Sequence, residues 1–433
     1  MKNPINYYFY ALLVESFFQT LPTMFRKLRR GLLWIFNLLN LWLIRVGLSL
    51  KIKKQPKTDI RRILIVGYAA IGDAIFLLPA LSSLKKAFPK AWIVFMANDY
   101  PTAKELIPET GIADEIWIEE IPRGQEEAKK VNARIAAGEF DAVLVVPSAP
   151  VRFLCSLLSI PFRIGHCRIF FPFPKMRNIV FHFRRRFLGE DFERRILLNR
   201  WIWINEAAPE HAVLRGLNLL APLGISGSSE IPVEFGHLSQ NLSEEKNSPM
   251  RKIGIHIGSE KSQYNKIWPA KNWAILARAL LEKYSVRIRL LGGPDEKPES
   301  LAFAAAADFP YEDIIGKKSL AETFSEIGRC DLFLSSDTGL SKAAMAMKIP
   351  TVTLYGPTSP REMGLFWDSD RHLEIKLNLP CMPCVSSGIR KEGSGVINYM
   401  TCGHHDCMGR LSPEMVFHAV WNWGQSPIQR FKK

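Results

Sequence analysis

Between Asp331 and Pro360 the chain reads DLFLSSDTGLSKAAMAMKIPTVTLYGPTSP, and few folds accommodate that stretch. Asp331–Ser335 has the apolar character of a short buried strand. Ser336–Gly339 reads as a turn, Leu340–Lys348 carries apolar residues at helical spacing, and Thr351–Tyr355 reads as a second strand. A strand, a helix and a strand at this spacing form a βαβ unit, which demands a parallel sheet. The turn offers small residues, the hydroxyls of Ser336 and Thr338, and unpaired N–H groups at a helix N-terminus, a setting that suits a phosphate. Asp337 stands against this, because a carboxylate repels a phosphate unless it is engaged elsewhere, by a ribose hydroxyl or by its own backbone. The plainer alternative is that Ser336 or Asp337 is a helix N-cap.

The same alternation runs through the rest of the chain. Arg62–Tyr68 is a continuous apolar run of strand length, Ala69–Asp73 a small-residue turn, and Ala74–Phe88 a helix with Leu77, Leu78, Leu81 and Leu84 on one face. Ala91–Ala97, Glu115–Ile118 and Ala142–Val146 read as further strands, with a helix at Gln125–Ala137. A stretch rich in Ser, Gly, Asn and Pro then separates this half from Lys252–Gly258 (strand), a helix opening at Trp268–Pro269, and Val286–Leu291 (strand). The pattern predicts an α/β protein of two doubly wound domains, residues 62–235 and 251–433, joined by a linker at 236–250. Ligands are expected at the carboxyl ends of the strands. A length of 433 residues suits two such domains.

The first sixty-one residues are different. Gly31–Ile44, GLLWIFNLLNLWLI, is apolar apart from Asn37 and Asn40, and basic runs flank it at Arg26–Arg30 and Lys51–Arg62. A spanning helix needs about 20 apolar residues. This segment reaches that length only by including Arg45, at a cost of about 3 kcal/mol near a bilayer centre. An interfacial helix anchored by Trp34 and Trp42 and by anionic lipid fits better, with a buried helix pair as the alternative. The net charge of +15, from 57 Lys and Arg against 42 Asp and Glu, points to anionic partners without choosing among them. Arg163–Arg200 interleaves Phe170, Phe171, Phe173, Phe181, Phe183 and Phe187 with many cations. It reads as a surface for phosphorylated lipid, with an ordinary solvated basic face over a core as the alternative and no nucleic-acid-binding motif.

Seven cysteines in a chain of this length do not form a secreted disulfide framework. The spacing Cys381-x2-Cys384 with Cys402-x4-Cys407 makes a tetrahedral structural zinc a candidate, and buried thiols bracing the tail the alternative.

Several of these segments resemble the lipopolysaccharide heptosyltransferases, the family-9 glycosyltransferases. D-T-G-L-S followed by a small-residue helix and P-T-V-T-L-Y-G-P-T-S-P resembles their donor-binding segment, I-L-I-V-G-Y-A-A-I-G-D-A-I-F-L-L-P-A-L their opening, and K-I-W-P their K-x-W-P motif. The resemblance covers about Arg62 to Trp423. It implies a GT-B fold, two Rossmann-like domains facing a cleft, and a membrane-associated enzyme at the cytoplasmic face of the bacterial inner membrane, peripheral or monotopic. It implies an inverting, metal-independent transfer of a sugar from a nucleotide-diphosphate donor, ADP-heptose above all, to a lipid-linked acceptor. Asp73 matches the catalytic base and Lys266 a lysine on the donor phosphates. Gly258, Ser259, Ser336, Asp337, Thr338 and Gly339 match the donor-binding loops. Glu296 matches an acidic residue on the ribose, with Asp295 its rival after a shift of one position. Lys342 departs from the family, which usually has His there, and Ala69 and Ala70 stand where it often has Ser. The competing expectations are a nucleotide-sugar epimerase on the same architecture and a nucleotide-sugar-binding membrane protein without activity.

Overall fold

The structure is a computed structural model. It describes residues 60–423 except residues 68–69, 121, 123–124, 147–148, 150–153, 169–193, 195–196, 205–209, 232–249, 260, 365, 368 and 385–401. The expected membrane segment at 1–61 and linker at 236–250 lie almost wholly outside the described residues. Among the described residues no helix is long and apolar enough to cross a membrane.

Two six-stranded sheets carry the fold. The first holds β1 (Arg62–Val66), β2 (Trp92–Ala97), β3 (Glu115–Ile118), β4 (Ala142–Val145), β5 (Phe162–Arg168) and β6 (Arg200–Ile204), in the order β3-β2-β1-β4-β5-β6. The second holds β7 (Arg251–His256), β8 (Val286–Leu290), β9 (Glu312–Asp313), β10 (Leu332–Ser336), β11 (Thr351–Tyr355) and β12 (His372–Lys376), in the order β12-β11-β10-β7-β8-β9. Renumbered from its own first strand, the second sheet repeats the order of the first. Every pairing is parallel. Strands such as ILIV in β1 and AVLV in β4 are apolar on both faces because helices cover both faces.

The sheets share a second detail. Asp141, just before β4, accepts hydrogen bonds from the backbone N–H groups of Arg61 and Arg62 at the start of β1 (2.7 and 2.9 Å). Asp331, just before β10, accepts from the N–H of Lys252 in β7 (2.9 Å) and from Arg251 (3.0 Å). Each carboxylate thus fixes the register of the central strand pair at its amino end.

The helices used below are α1 (Ile71–Ala87), α2 (Gln125–Ala137), α3 (Ala212–Asn218), α4 (Ala270–Lys283), α5 (Lys297–Ala304), α6 (Leu320–Gly328), α7 (Gly339–Ala346), α8 (Pro360–Met363) and α9 (Pro413–Asn422). The core of the first sheet continues through Leu340, Ala343 and Phe333 into one side of the second. A separate core of Trp268, Trp273, Ile255 and Leu354 fills the other side. The order of strands reverses between β1 and β4 and between β7 and β10, so crevices open beyond the carboxyl ends of those pairs. The two crevices meet where α1 and α7 begin. A Cβ on Gly339 would stand 2.7 Å from Cβ of Ile71, so only glycine admits this approach.

One reading needs correction. The basic and aromatic stretch Arg163–Arg200 is not a solvated face at its ends: Arg163 and Arg194 are buried, and β5 and β6 bracket it. The arginines escape the usual penalty because Arg163 donates to the carbonyls of Leu197 and Ile160, and Arg194 to those of Val146, Ala149 and His166.

Candidate active site

The turn after β10 is built around Asp337. Its backbone N–H donates to Leu354 O (3.0 Å), which holds the turn against β11. Its carboxylate is buried and receives Lys342 Nζ on Oδ1, and Thr358 Oγ1 (2.5 Å) and Lys266 Nζ (3.3 Å) on Oδ2. Burial alone raises a carboxyl pKa; here the Lys342 and Lys266 ammonium groups more than offset it and hold Asp337 well below the usual carboxylate range. Burial lowers the Lys342 pKa, with Asp337 opposing. Lys342 Nζ also lies 3.2 Å from Tyr355 Oη and 5.8 Å from the centre of the Phe76 ring. The Lys342 cation is therefore committed to an ion pair within its own loop.

The N-cap of α7 is Thr338, so neither Ser336 nor Asp337 serves as the cap. The Ser336 hydroxyl is buried with no hydrogen-bond partner among the described residues. Gly339 opens the helix beside the start of α1.

Asp73 comes to this turn from the other sheet. It lies in the first turn of α1, whose N-cap is Ala70, so Asp73 is not a cap either. Burial pushes its carboxyl above the ordinary range. Lys266, Arg215 and Lys342 pull it back, and Asp337 adds to the rise. Arg215, on α3, reaches Glu362 of α8 (3.4 Å) and Met363 Sδ (3.8 Å) across the two halves. Beside it the N-cap of α3, His211, donates from Nε2 to Gly364 O (3.1 Å) and accepts Val213 N–H on Nδ1 (3.2 Å). Its ring stacks on Phe366 (4.8 Å between centroids) and meets the edge of Phe76 (4.9 Å). Burial pushes the His211 pKa down to about 4.

The remaining predicted residues lie at the ends of β7 and β8. Gly258 and Gly292 leave space that the Glu296 side chain fills: a Cβ on Gly258 would be 2.5 Å from Glu296 Cγ. Glu296 is buried and Asp295 exposed, which favours Glu296 as the inward acidic residue. Glu296 accepts from Gly293 N–H (3.1 Å) and from His256 Nε2 (2.7 Å). Ser259 stands at the rim of this crevice, partly exposed.

A carboxylate of raised basicity on one sheet thus faces, from the other, two lysines and a helix N-terminus. Such a site takes a proton on one side and receives an anion on the other. Residues 184–393 match a family profile described as Glycosyltransferase family 9 (heptosyltransferase). The match covers just under half of the chain. It is 25% identical over 320 residues to lipopolysaccharide heptosyltransferase 1 of Salmonella typhimurium, across 70% of this chain and 90% of that one. The structure is similar to E. coli ADP-heptose lipopolysaccharide heptosyltransferase II, with a TM-score of 0.59 at 20% identity, over 86% of this chain and 99% of that one. It is also similar to E. coli heptosyltransferase WaaC with ADP-2-deoxy-2-fluoro heptose, with a TM-score of 0.58 at 19% identity, over 83% and 99%. At that identity the structural likeness speaks for the fold, the GT-B arrangement of two parallel sheets.

In this glycosyltransferase the structure brings Asp73, Lys266, Asp337, Thr338, Gly339 and Lys342 to one place and sets Gly258, Ser259 and Glu296 beside it. Sequence reasoning missed His256, Arg215, Glu362, His211 and Thr358. Thr358 was within reach, because it lies in the P-T-S-P end of the quoted motif. The zinc expectation fares worse. Among the described residues no group of three or more His, Cys, Asp or Glu is arranged to hold a metal ion. Cys384 Sγ turns to the carbonyl of Cys381 (3.3 Å). Burial, with the neighbouring cysteines adding, pushes the Cys384 and Cys407 thiols up to about 11.

Proposed function

We propose that this glycosyltransferase moves heptose from ADP-heptose to a hydroxyl of a lipopolysaccharide-core acceptor, by a single inverting displacement that uses no metal ion. The observation that carries the proposal is the placement of Asp73, from the first sheet, opposite the Lys266–Asp337–Lys342 cluster of the second. Asp73 takes the acceptor proton as general base, and its raised pKa makes it a stronger one at neutral pH. Lys266 and the N–H groups opening α7 receive the charge that grows on the departing diphosphate. Asp337 holds Lys266 at that position (3.3 Å) and is itself kept ionised by Lys342. Base and leaving group on opposite faces of the sugar give inversion. Residues 62–235 form the acceptor domain and 251–433 the donor domain, with Glu296 on the nucleoside side. The aromatic and basic run within residues 1–61 supports attachment to anionic membrane as a peripheral enzyme.

Calorimetric titration with ADP, UDP, GDP and CDP, repeated on Lys266→Ala, tests the donor. Selective ADP binding, weakened in the variant, is the expected result; a different preferred nucleotide changes the donor, and no binding removes the proposal. Transfer from ADP-heptose in the presence of a chelator tests metal independence. Donor hydrolysed or epimerised without acceptor would favour an epimerase. Deletion of residues 1–57 is expected to abolish flotation with anionic vesicles while ADP binding persists.

A further inference from the structure

We infer that His256 is a positioning residue that couples the nucleoside side of the donor site to its diphosphate side. The inference rests on the donor-site reading above and goes one step into it.

His256 is the last residue of β7 and is 2% exposed. Its strand lies at the centre of the second sheet, between β8 and β10, so its ring stands at the reversal point of strand order. Each ring nitrogen meets one of the two flanking loops. Nε2 is 2.7 Å from Glu296 Oε1, in the turn after β8. Nδ1 is 3.0 Å from Thr338 Oγ1, in the turn after β10, and 3.3 Å from Ser335 Oγ. In a doubly wound sheet the acidic residue after the second strand meets the ribose, and a helix N-terminus at the reversal point meets the phosphates. Glu296 and Thr338 occupy those two places, and the imidazole joins them.

The hydrogen-bond directions follow from the partners. A carboxylate only accepts, so Nε2 carries the proton and donates to Glu296. Nδ1 is then an acceptor. The Ser335 hydroxyl is spent on Ser336 O (2.6 Å), so the Thr338 hydroxyl, 3.1 Å from Ser335 Oγ and 3.0 Å from Nδ1, is shared between those two acceptors. Thr338 is thereby held in one rotamer at the N-cap of α7, with its proton turned inward, and the diphosphate meets the Gly339 end of the helix. A carboxylate drawn toward ribose hydroxyls alters the Nε2 bond, and the imidazole passes that change to Thr338. A donor carrying a ribose then binds its diphosphate better than the same diphosphate alone.

Two substitutions cut one arm each. His256→Gln keeps a donor near Glu296 and loses the acceptor for Thr338. His256→Asn keeps an acceptor near Thr338 and loses the bond to Glu296. The experiment is calorimetric titration of the full chain and both variants with ADP and with inorganic pyrophosphate. A roughly tenfold fall in the preference for ADP over pyrophosphate in both variants is expected, together with a higher donor KM and an unchanged acceptor KM. A histidine that only fills space would lower the unfolding temperature and leave that preference alone. The preference retained within about twofold in both variants overturns the inference while leaving the donor reading intact. Failure of the wild-type chain to bind ADP overturns both. If the variants do not fold, the cycle of Glu296→Gln and Thr338→Val on ADP affinity replaces them. Less-than-multiplicative losses support coupling through His256, and multiplicative losses overturn it.

Discussion

The two sheets have one strand order, yet they treat buried polarity in opposite ways. In the second, the carboxyl ends of β7 and β10 are crowded with buried ionisable groups bound to each other: His256 with Glu296, and Asp337 with Lys342 and Lys266. In the first, β1 and β4 stay apolar to their last residues, and the buried polar groups near the crevice are neutral rings and arginines bound to carbonyls. His166 is buried, and burial pushes its pKa down to about 3, with the Arg194 and Arg215 charges adding. The second sheet is therefore organised around fixed charge before any ligand arrives, as anion stabilisation requires. The first contributes a single buried carboxylate of raised pKa, Asp73, on an otherwise apolar frame.

The largest effect that tests this contrast is on catalysis. Asp73→Asn is expected to lower kcat by about 10²–10⁴-fold with ADP affinity unchanged; a matching loss of ADP affinity would place Asp73 in the donor half. Next comes Lys342→Met, which strips Asp337 of its closest counter-charge. Urea unfolding should show a loss of about 3–5 kcal/mol, the range for breaking a buried pair. A loss below about 1 kcal/mol would mean that Lys266 and Thr358 suffice.

Acid separates the halves on a smaller scale. His166 and His211 take up protons in the unfolded chain near 6.5 but only near 3 and 4 in the fold. Their contribution is complete above 6.5 and is lost as pH falls toward those values, by about 2 kcal/mol each between pH 7 and pH 5. Asp337, whose pKa is depressed, gives stability that is present above its unfolded value of 3.8 and so does not change in that window. Replacing both histidines with Phe should flatten the pH dependence of urea unfolding; an unaltered slope would locate the acid sensitivity elsewhere. The smallest effects test the likeness instead. Asp141→Asn and Asp331→Asn should each cost about 1–2 kcal/mol, and a clear inequality would show that the two register clips are not equivalent.

How much of this was legible in the sequence follows from burial. β1, β4, β7 and β10 are apolar runs and announced themselves. β5, FRIGHCR, did not, because its buried Arg163 and His166 break the apolar pattern. Nor did β12, HLEIK, a half-exposed edge strand, or α5, KPESLAFA, with its polar start. In the site, Asp73, Lys266, Asp337 and Lys342 were visible because motifs mark them. His256 and the Arg215–Glu362 pair were not, since their partners lie 40 and 147 residues away and no local spacing encodes such a meeting. The cysteine spacing was legible, but among the described residues no group of three or more His, Cys, Asp or Glu is arranged to hold a metal ion.

The clips at Asp141 and Asp331 sit at the amino ends of the strands, and the chemistry sits at the carboxyl ends. Alignment of the strands is thus settled at the end of each sheet that substrates do not reach. Insertions and substitutions in the crevice loops leave strand pairing undisturbed, so such a frame tolerates drift in donor and acceptor preference without first losing its ability to fold.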